Sequence, residues 1–248
     1  MRFADFVWYL ALPILILALW KGADVAGYIV PYTMPPPEDV YFTAVEFFKD
    51  GTLKEHIIAS VIRVGEGFSI ALVLALTFGV LIGLFRRFEM FTDIILQILK
   101  PIPPIAWIPL AILWFGIGEA SKIYIIAIGA FFPILVNTVE GIKNIDKRYL
   151  ELARVYEASK LRTIRRVILP GALPFIMTGV RLGLGMGWIC VVAAELIAAN
   201  RGIGYMLMDG RSLSRPDMVI LGMVAIGVIG KFMDDVLRYI SKRIVRWN

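Results

Sequence analysis

Long apolar stretches alternate with short polar or proline-rich ones along this chain. A helix needs about 20 apolar residues to cross a bilayer, and the pattern offers six candidates. The first, Phe6–Trp20, carries Trp8, Tyr9 and Trp20 near its ends, where interfacial aromatics lie. It is short, so it is expected to recruit Met1–Asp5 or to continue past Lys21 into Val25–Val30. No small-x-small cleavage site follows, and Arg2 alone charges the segment before it, which favours an uncleaved helix over a signal peptide. The run Pro31-Tyr32-Thr33-Met34-Pro35-Pro36-Pro37 cannot be helical, and Glu38–Lys49 then reads as a short amphipathic helix on the outer surface.

The second span lies within Leu53–Leu84, with Gly65, Gly67, Gly79 and Gly83 available for close helix contacts. Arg63 and Glu66 are three apart in it and are expected to pair on one face. The third, Phe91–Gly116, must break where Lys100-Pro101-Ile102-Pro103-Pro104 and Pro109 remove backbone donors. Irregular backbone at membrane depth is tolerated only against protein or water, so this segment belongs to the interior. The fourth, Ile123–Ile142, follows a tight turn at Gly116–Glu119 and is expected to be interrupted at Pro133 and Asn137. The fifth, Gly171–Ala199, has Gly179, Gly183, Gly185 and Gly187 on nearby faces and two ionisable residues, Arg181 and Glu195. After an outer loop, Asn200–Pro216, comes the sixth, Asp217–Ile240, with Lys231, Asp234 and Asp235 near its inner end.

One polar segment interrupts this apolar series. Glu151–Pro170 carries Arg154, Lys160, Arg162, Arg165 and Arg166, with Lys143, Lys147 and Arg148 just upstream. The positive-inside rule places it in the cytoplasm, together with the basic tail Arg238, Lys242, Arg243 and Arg246. An even number of spans then puts both termini inside. The segment has the length of two short helices, and Leu169-Pro170 reads as a stop. Isolated between two spans, it reads as a docking loop for a cytoplasmic partner.

Composition agrees with a membrane bundle. Of 248 residues, 59% are hydrophobic and 19% charged, and mean hydropathy is +0.77. These values lie well above the apolar share of about 45–50% in soluble domains. The length leaves no room for a separate soluble domain, so the reading is one polytopic all-α domain, residues 1–248, with the polar loop at about 143–170. The net charge of +6 sits in loops and tail, which argues for topology and against nucleic acid. Cys190 has no second cysteine and His56 no ligand-spaced companion, so both read as structural and no metal site is expected. No GxxxxGK[ST] loop, HExxH pair or Ser-His-Asp set is present, so no catalytic or cofactor-binding residue is expected and energy must come from elsewhere.

The polar loop resembles the cytoplasmic EAA loop of permease subunits of bacterial ABC importers. Glu151, Ala153, Val167, Leu169 and Pro170 fall in register with that pattern, whereas Leu152 stands for its first alanine and Glu157 for its glycine. Glu157 at positive φ would cost about 1 kcal/mol, so the helix is expected to run on at that point. Two further stretches are similar to the nitrate, sulfonate and taurine permeases: Pro103–Leu110 followed by Trp114–Lys122, and Gly179–Gly185 with Trp188 and Val191–Glu195. With Met34–Pro37 and Gly202–Tyr205, the likeness covers nearly the whole chain.

The resemblance implies a type I ABC importer permease fold in the bacterial inner membrane, two permease copies, and an extracytoplasmic binding protein. Two cytoplasmic ATPases would bind ATP and Mg. It assigns coupling to Glu151, Ala153, Glu157, Ala158, Ser159, Lys160, Leu161, Arg162, Leu169 and Pro170. The translocation path is assigned to Arg181, Trp188, Glu195, Lys100 and Trp107, the ionisable ones because charge within a span faces a bundle interior or a cavity and the two tryptophans from the stretches that carry the resemblance. Lys100 and Arg181 are expected to be buried cations, so a small anion such as nitrate, a sulfonate or taurine is the favoured solute. A vitamin or pyrimidine precursor is the alternative. A gradient-driven transporter or channel would share the spans and buried charges but would not need the docking loop. A scaffold would leave Arg181 and Glu195 without purpose.

Overall fold

The computed structural model describes residues 3–30 and 32–245, and among them all side chains except those of residues 3–10 and Ala198. The expectations placed on Met1, Arg2, Pro31 and Arg246, and on the side chains of Trp8 and Tyr9, lie outside the described residues. The described chain is helical without strands, in keeping with the expected all-α membrane bundle. Among the described residues three helices are long and apolar enough to cross a bilayer: α3 (Thr52–Leu84), α6 (Glu119–Lys143) and the helical run Lys160–Ile197, which takes in α9 (Leu169–Ala198) up to its last residue. A bent pair brings the number to four when its two halves are counted as one span. The first and sixth expected spans are the continuous helices α1 (Phe3–Val25) and α11 (Pro216–Ile244), which do not figure among those four. Of the long helices α11 is the most heavily charged, carrying Asp217, Lys231, Asp234, Asp235, Arg238, Lys242 and Arg243.

The bent pair is α4 (Arg86–Leu99) and the segment Pro104–Phe115, which meet at 88°. Three prolines explain the break: Pro101, Pro103 and Pro104 offer no backbone N–H at the corner. Pro109 does not contribute to it, because it falls in the first turn of α5 (Ile108–Phe115), where proline is tolerated. Gly116 ends α5 at φ 75°, a left-handed conformation that favours glycine.

The chain divides into two compact units. One comprises residues 1–59 and 200–227, the other residues 60–199 and 228–248. In the first unit, the Trp20 indole donates to the Pro35 carbonyl at 3.1 Å and Lys21 pairs with Glu38 at 2.7 Å, which holds the Glu38 carboxyl below the usual range. The expected amphipathic helix is present as α2 (Pro37–Lys49), and its Thr43 donates to Asp217 at 2.6 Å. His56 accepts the Gly202 N–H at 3.1 Å, a structural role as expected. The outer segment Asn200–Pro216 is not a loop. It contains α10 (Ile203–Ser212), whose Ile203 and Met206 are fully buried.

In the second unit, α6 packs along α9, and α3 runs beside α6 with its glycines facing it. A Cβ on Gly67, Gly79 or Gly83 would lie under 3 Å from Ile126, Thr138 or Ile142. Gly179 and Gly183 meet Asn137 and Ile134 in the same way across the α6–α9 seam, whereas Gly65 and Gly185 face open space. Buried Ala71, Ala75, Ala130, Ile134 and Val180 form the core that this approach creates. Pro133 and Asn137 do not interrupt α6. Asn137 donates from its side-chain amide to the Pro133 carbonyl at 2.9 Å, and close packing on both sides keeps the segment helical. Cys190 is buried, with its sulfur against Gly129.

Candidate coupling loop and translocation face

The polar loop folds as α7 (Lys147–Val155), a tight turn and α8 (Lys160–Thr163). Asp146 caps α7 by accepting from the Arg148 N–H at 2.9 Å. Ala153 is buried on its inner face, while Tyr149, Leu152 and Val155 point outward. The helix then stops. The Ala158 N–H donates to the Ala153 carbonyl and the Glu157 N–H to the Arg154 carbonyl, both at 2.9 Å. Glu157 takes φ 47°. This is a Schellman cap with glutamate where glycine is usual. The expectation that the helix runs on through Glu157 is therefore corrected: the two cap hydrogen bonds offset a backbone cost of about 1 kcal/mol.

Ser159 opens α8, its hydroxyl accepting from the Arg162 N–H at 3.4 Å. Leu169-Pro170 is not a stop. A π turn, Ile164–Ile168, joins α8 to α9, with the Leu169 N–H donating to the Ile164 carbonyl. Pro170 sits in the first turn of α9, and the wider turn before it accommodates the donor that proline lacks. The helical run thus reaches unbroken from Lys160 to Ile197, so α8 joins the interior of the bundle through continuous backbone. Leu161 is 75% exposed and Tyr156 79%. Glu151, Arg154, Lys160, Arg162, Arg165 and Arg166 are exposed around them and Ala158 is half-buried. Large apolar side chains thus stand exposed among cations, and no described residue covers them.

At the other end of α6 lies a buried ionic group that sequence reasoning missed. Arg63 does not pair with Glu66, which is exposed. Its Nη1 donates to Glu195 at 2.6 Å, and its Nε and Nη2 donate to the two Glu119 oxygens. Ser60 donates to Glu195 at 2.8 Å, and Lys122 reaches Glu119 at 3.1 Å. The i, i+3 rule looks along one helix, whereas Arg63 faces the neighbours of α3. The legible signal was that Arg63 and Glu195 are opposite charges stranded in separate apolar helices, each requiring a partner.

The expected path residues separate into two groups. Arg181 and Lys100 are not buried as expected. Arg181 is half-buried and donates from Nε and Nη2 to Asp234 of α11 at 3.0 Å. Lys100 is exposed at the corner between α4 and the proline segment. It borders a groove of about 410 Å³ with Asn137, Phe132, Leu182 and Met186. Trp107 lines a second, apolar groove of about 310 Å³ with Tyr124 and Phe131. Trp188 is buried, and a Cβ on Gly230 would meet its indole nitrogen at 2.9 Å. Glu195 is buried in the ionic group. Arg181, Trp188 and Glu195 thus hold helices together, while Lys100 and Trp107 border open grooves. Among the described residues no group of three or more metal-ligating side chains exists.

Residues 71–246 match the family described as the binding-protein-dependent transport system inner membrane component. The chain is 40% identical over 239 residues, 96% of its length and 87% of the relative's, to a Bacillus subtilis protein named for aliphatic sulfonates transport, the permease SsuC. It is 35% identical to the taurine transport system permease protein TauC of Escherichia coli, over 94% of this chain and 86% of that one. A solved structure of the MetNI methionine ABC transporter in inward-facing conformations superposes with a TM-score of 0.65 at 19% identity, covering 77% of this chain and 93% of that one. With its apolar helices, proline-broken span and EAA-like loop, the chain belongs to the binding-protein-dependent transport system inner membrane component family and is the permease subunit of an ABC importer.

Proposed function

We propose that this permease pairs with a second copy in the bacterial inner membrane, with both termini in the cytoplasm, and imports a small sulfonate-like anion. An extracytoplasmic binding protein delivers the solute, and two cytoplasmic ATPases, which hold the ATP and Mg, drive the cycle. The whole complex is then a translocase, although this chain performs no chemistry. One observation carries the reading: the exposed apolar and basic surface of Leu161, Arg162, Arg165 and Arg166, with Tyr156 beside it across the turn, joined by continuous helix to α9. A rigid-body closure of the ATPases transmitted through that surface would tilt the bundle between its two openings. The groove beside Lys100 and Asn137 supports an anionic solute with an apolar tail, since one cation and one amide face Phe132, Leu182 and Met186. The sulfonate and taurine names of the relatives agree with that chemistry.

The test is extraction of the complex in mild detergent and reconstitution in vesicles. An ATPase that co-purifies, and uptake of an alkylsulfonate in preference to a neutral vitamin precursor, are the expected outcomes. Uptake of the neutral compound alone would overturn the solute class, and a permease that transports without any ATPase would overturn the coupling.

A further inference from the structure

Two cations and two carboxylates meet among α3, α6 and α9: Arg63, Lys122, Glu119 and Glu195. Three of them are closed off, with side-chain exposures of 3% for Arg63, 4% for Lys122 and 0% for Glu195. Glu119 is the exception at 51%. Glu195 is held from two sides, by Ser60 at 2.8 Å and Arg63 Nη1 at 2.6 Å, and is the permanent counter-ion of the guanidinium. Glu119 occupies the other face of Arg63, takes its Nε and Nη2 donors with two oxygens, and accepts from Lys122 Nζ as well. It begins α6, so its backbone lies at the edge of the helix and its side chain has solvent to turn into.

The four charges sum to zero. If Glu119 turns out to water, a net charge of +1 is left behind, with a guanidinium fork and an ammonium aimed at the vacated place. Buried charge without a partner is strongly destabilising, so another anion must enter or Glu119 must return. The flat Nε/Nη2 fork matches two oxygens of a carboxylate or a sulfonate, and Lys122 offers a donor for a third oxygen. The place is also right. Glu119 and Lys143 are the two ends of α6, about 37 Å apart along the axis. The ionic group therefore lies at the end of the span remote from the coupling loop, where a solute delivered from outside arrives.

We infer that Arg63 and Lys122 form an anion-binding site capped by Glu119, whose carboxylate occupies the position that the acidic head group of the solute takes on entry. The inference rests on the anion reading of the solute proposed above and adds the residues that receive it. Glu119 is a built-in competitor: it keeps the cations satisfied when no solute is present and makes their exposure conditional on an anion. Glu195 and Ser60 hold Arg63 in the receiving orientation.

The experiment uses the complete complex in nanodiscs, with ethanesulfonate as probe and uncharged ethanesulfonamide as control. Glu119→Gln removes the competing charge while keeping the shape, so it should tighten ethanesulfonate binding at least about tenfold and leave ethanesulfonamide unchanged. Adding Lys122→Met should cancel the gain. Equal affinities in wild type and Glu119→Gln, or an equal gain for the uncharged control, overturn the site. Should Glu119→Gln not insert, the wild type decides: ethanesulfonate should slow amine acylation of Lys122, read by mass spectrometry, and ethanesulfonamide should not. Identical labelling with and without ethanesulfonate overturns the site equally. The two readings fail separately. A wild-type complex that imports no sulfonate while Glu119→Gln gains sulfonate binding refutes the solute class alone, and import without the gain refutes the site alone.

Discussion

Arg181 Nε and Nη2 each lie 3.0 Å from an oxygen of Asp234, a two-pronged pair that ties α9 to α11. Both side chains are about one-third exposed, at 34% and 35%, so the attraction is partly screened and worth about 0.2–1 kcal/mol. Arg181→Gln should lower the melting temperature slightly by leaving Asp234 with Arg238 alone, at 3.6 Å. Combining it with Asp234→Asn should recover most of the loss, and sulfonate uptake by the double variant should stay near wild type. A double variant that melts normally but fails to transport would place Arg181 on the solute path after all.

Glu157→Gly should stabilise the solubilised subunit by about 0.5–1 kcal/mol, because φ 47° suits glycine and strains glutamate. Glu157→Val should do the reverse by a larger margin, since a β-branched residue resists that conformation more strongly. Thermal melts read the stability, and co-purification of the ATPase reads whether the turn geometry persists. Loss of ATPase association in the glycine variant alone would show that the carboxylate itself makes a contact.

Charge reversal at Arg162, Arg165 and Arg166 together, or deletion of Ala158–Thr163, should abolish uptake while the subunit still inserts. Leu161→Asp should do the same with a single change, since Leu161 is the exposed apolar residue at the centre of α8. Protease accessibility of the loop from the cytoplasmic side checks the topology independently. Transport that survives the deletion, with ATP hydrolysis still stimulated by solute, would remove the loop from the coupling route.

Gly183→Val should disrupt the α6–α9 seam, where even a Cβ would lie 2.6 Å from Ile134 Cγ1 and 2.9 Å from the Ala130 carbonyl. Over-packing of this kind costs about 1–3 kcal/mol. Gly185→Ala, two residues away with nothing within 4 Å of the added carbon, should be neutral or slightly stabilising. Melting temperatures of the two variants in the same detergent separate a packing effect from helix propensity.

The membrane class, the broken third span and the two-helix polar loop were legible in the sequence because each follows from local rules. Apolar length marks a span, three prolines at residues 101–104 remove donors whatever surrounds them, and a basic run between spans has no place in lipid. The conformations of Glu157, Pro170 and Pro133 were misread because neighbouring backbone decided them. A Schellman cap accepts glutamate at φ 47° when its hydrogen bonds are made, a π turn lets the helix pass Pro170, and packing against α3 and α9 holds α6 helical at Pro133. The partners of the ionisable residues were undecided for a related reason. Sequence spacing sees one helix at a time, and it offered Glu66 to Arg63. Only the close approach that glycines permit between helices brings Arg63 to Glu119 and Glu195, and Arg181 to Asp234, across segments far apart in the chain.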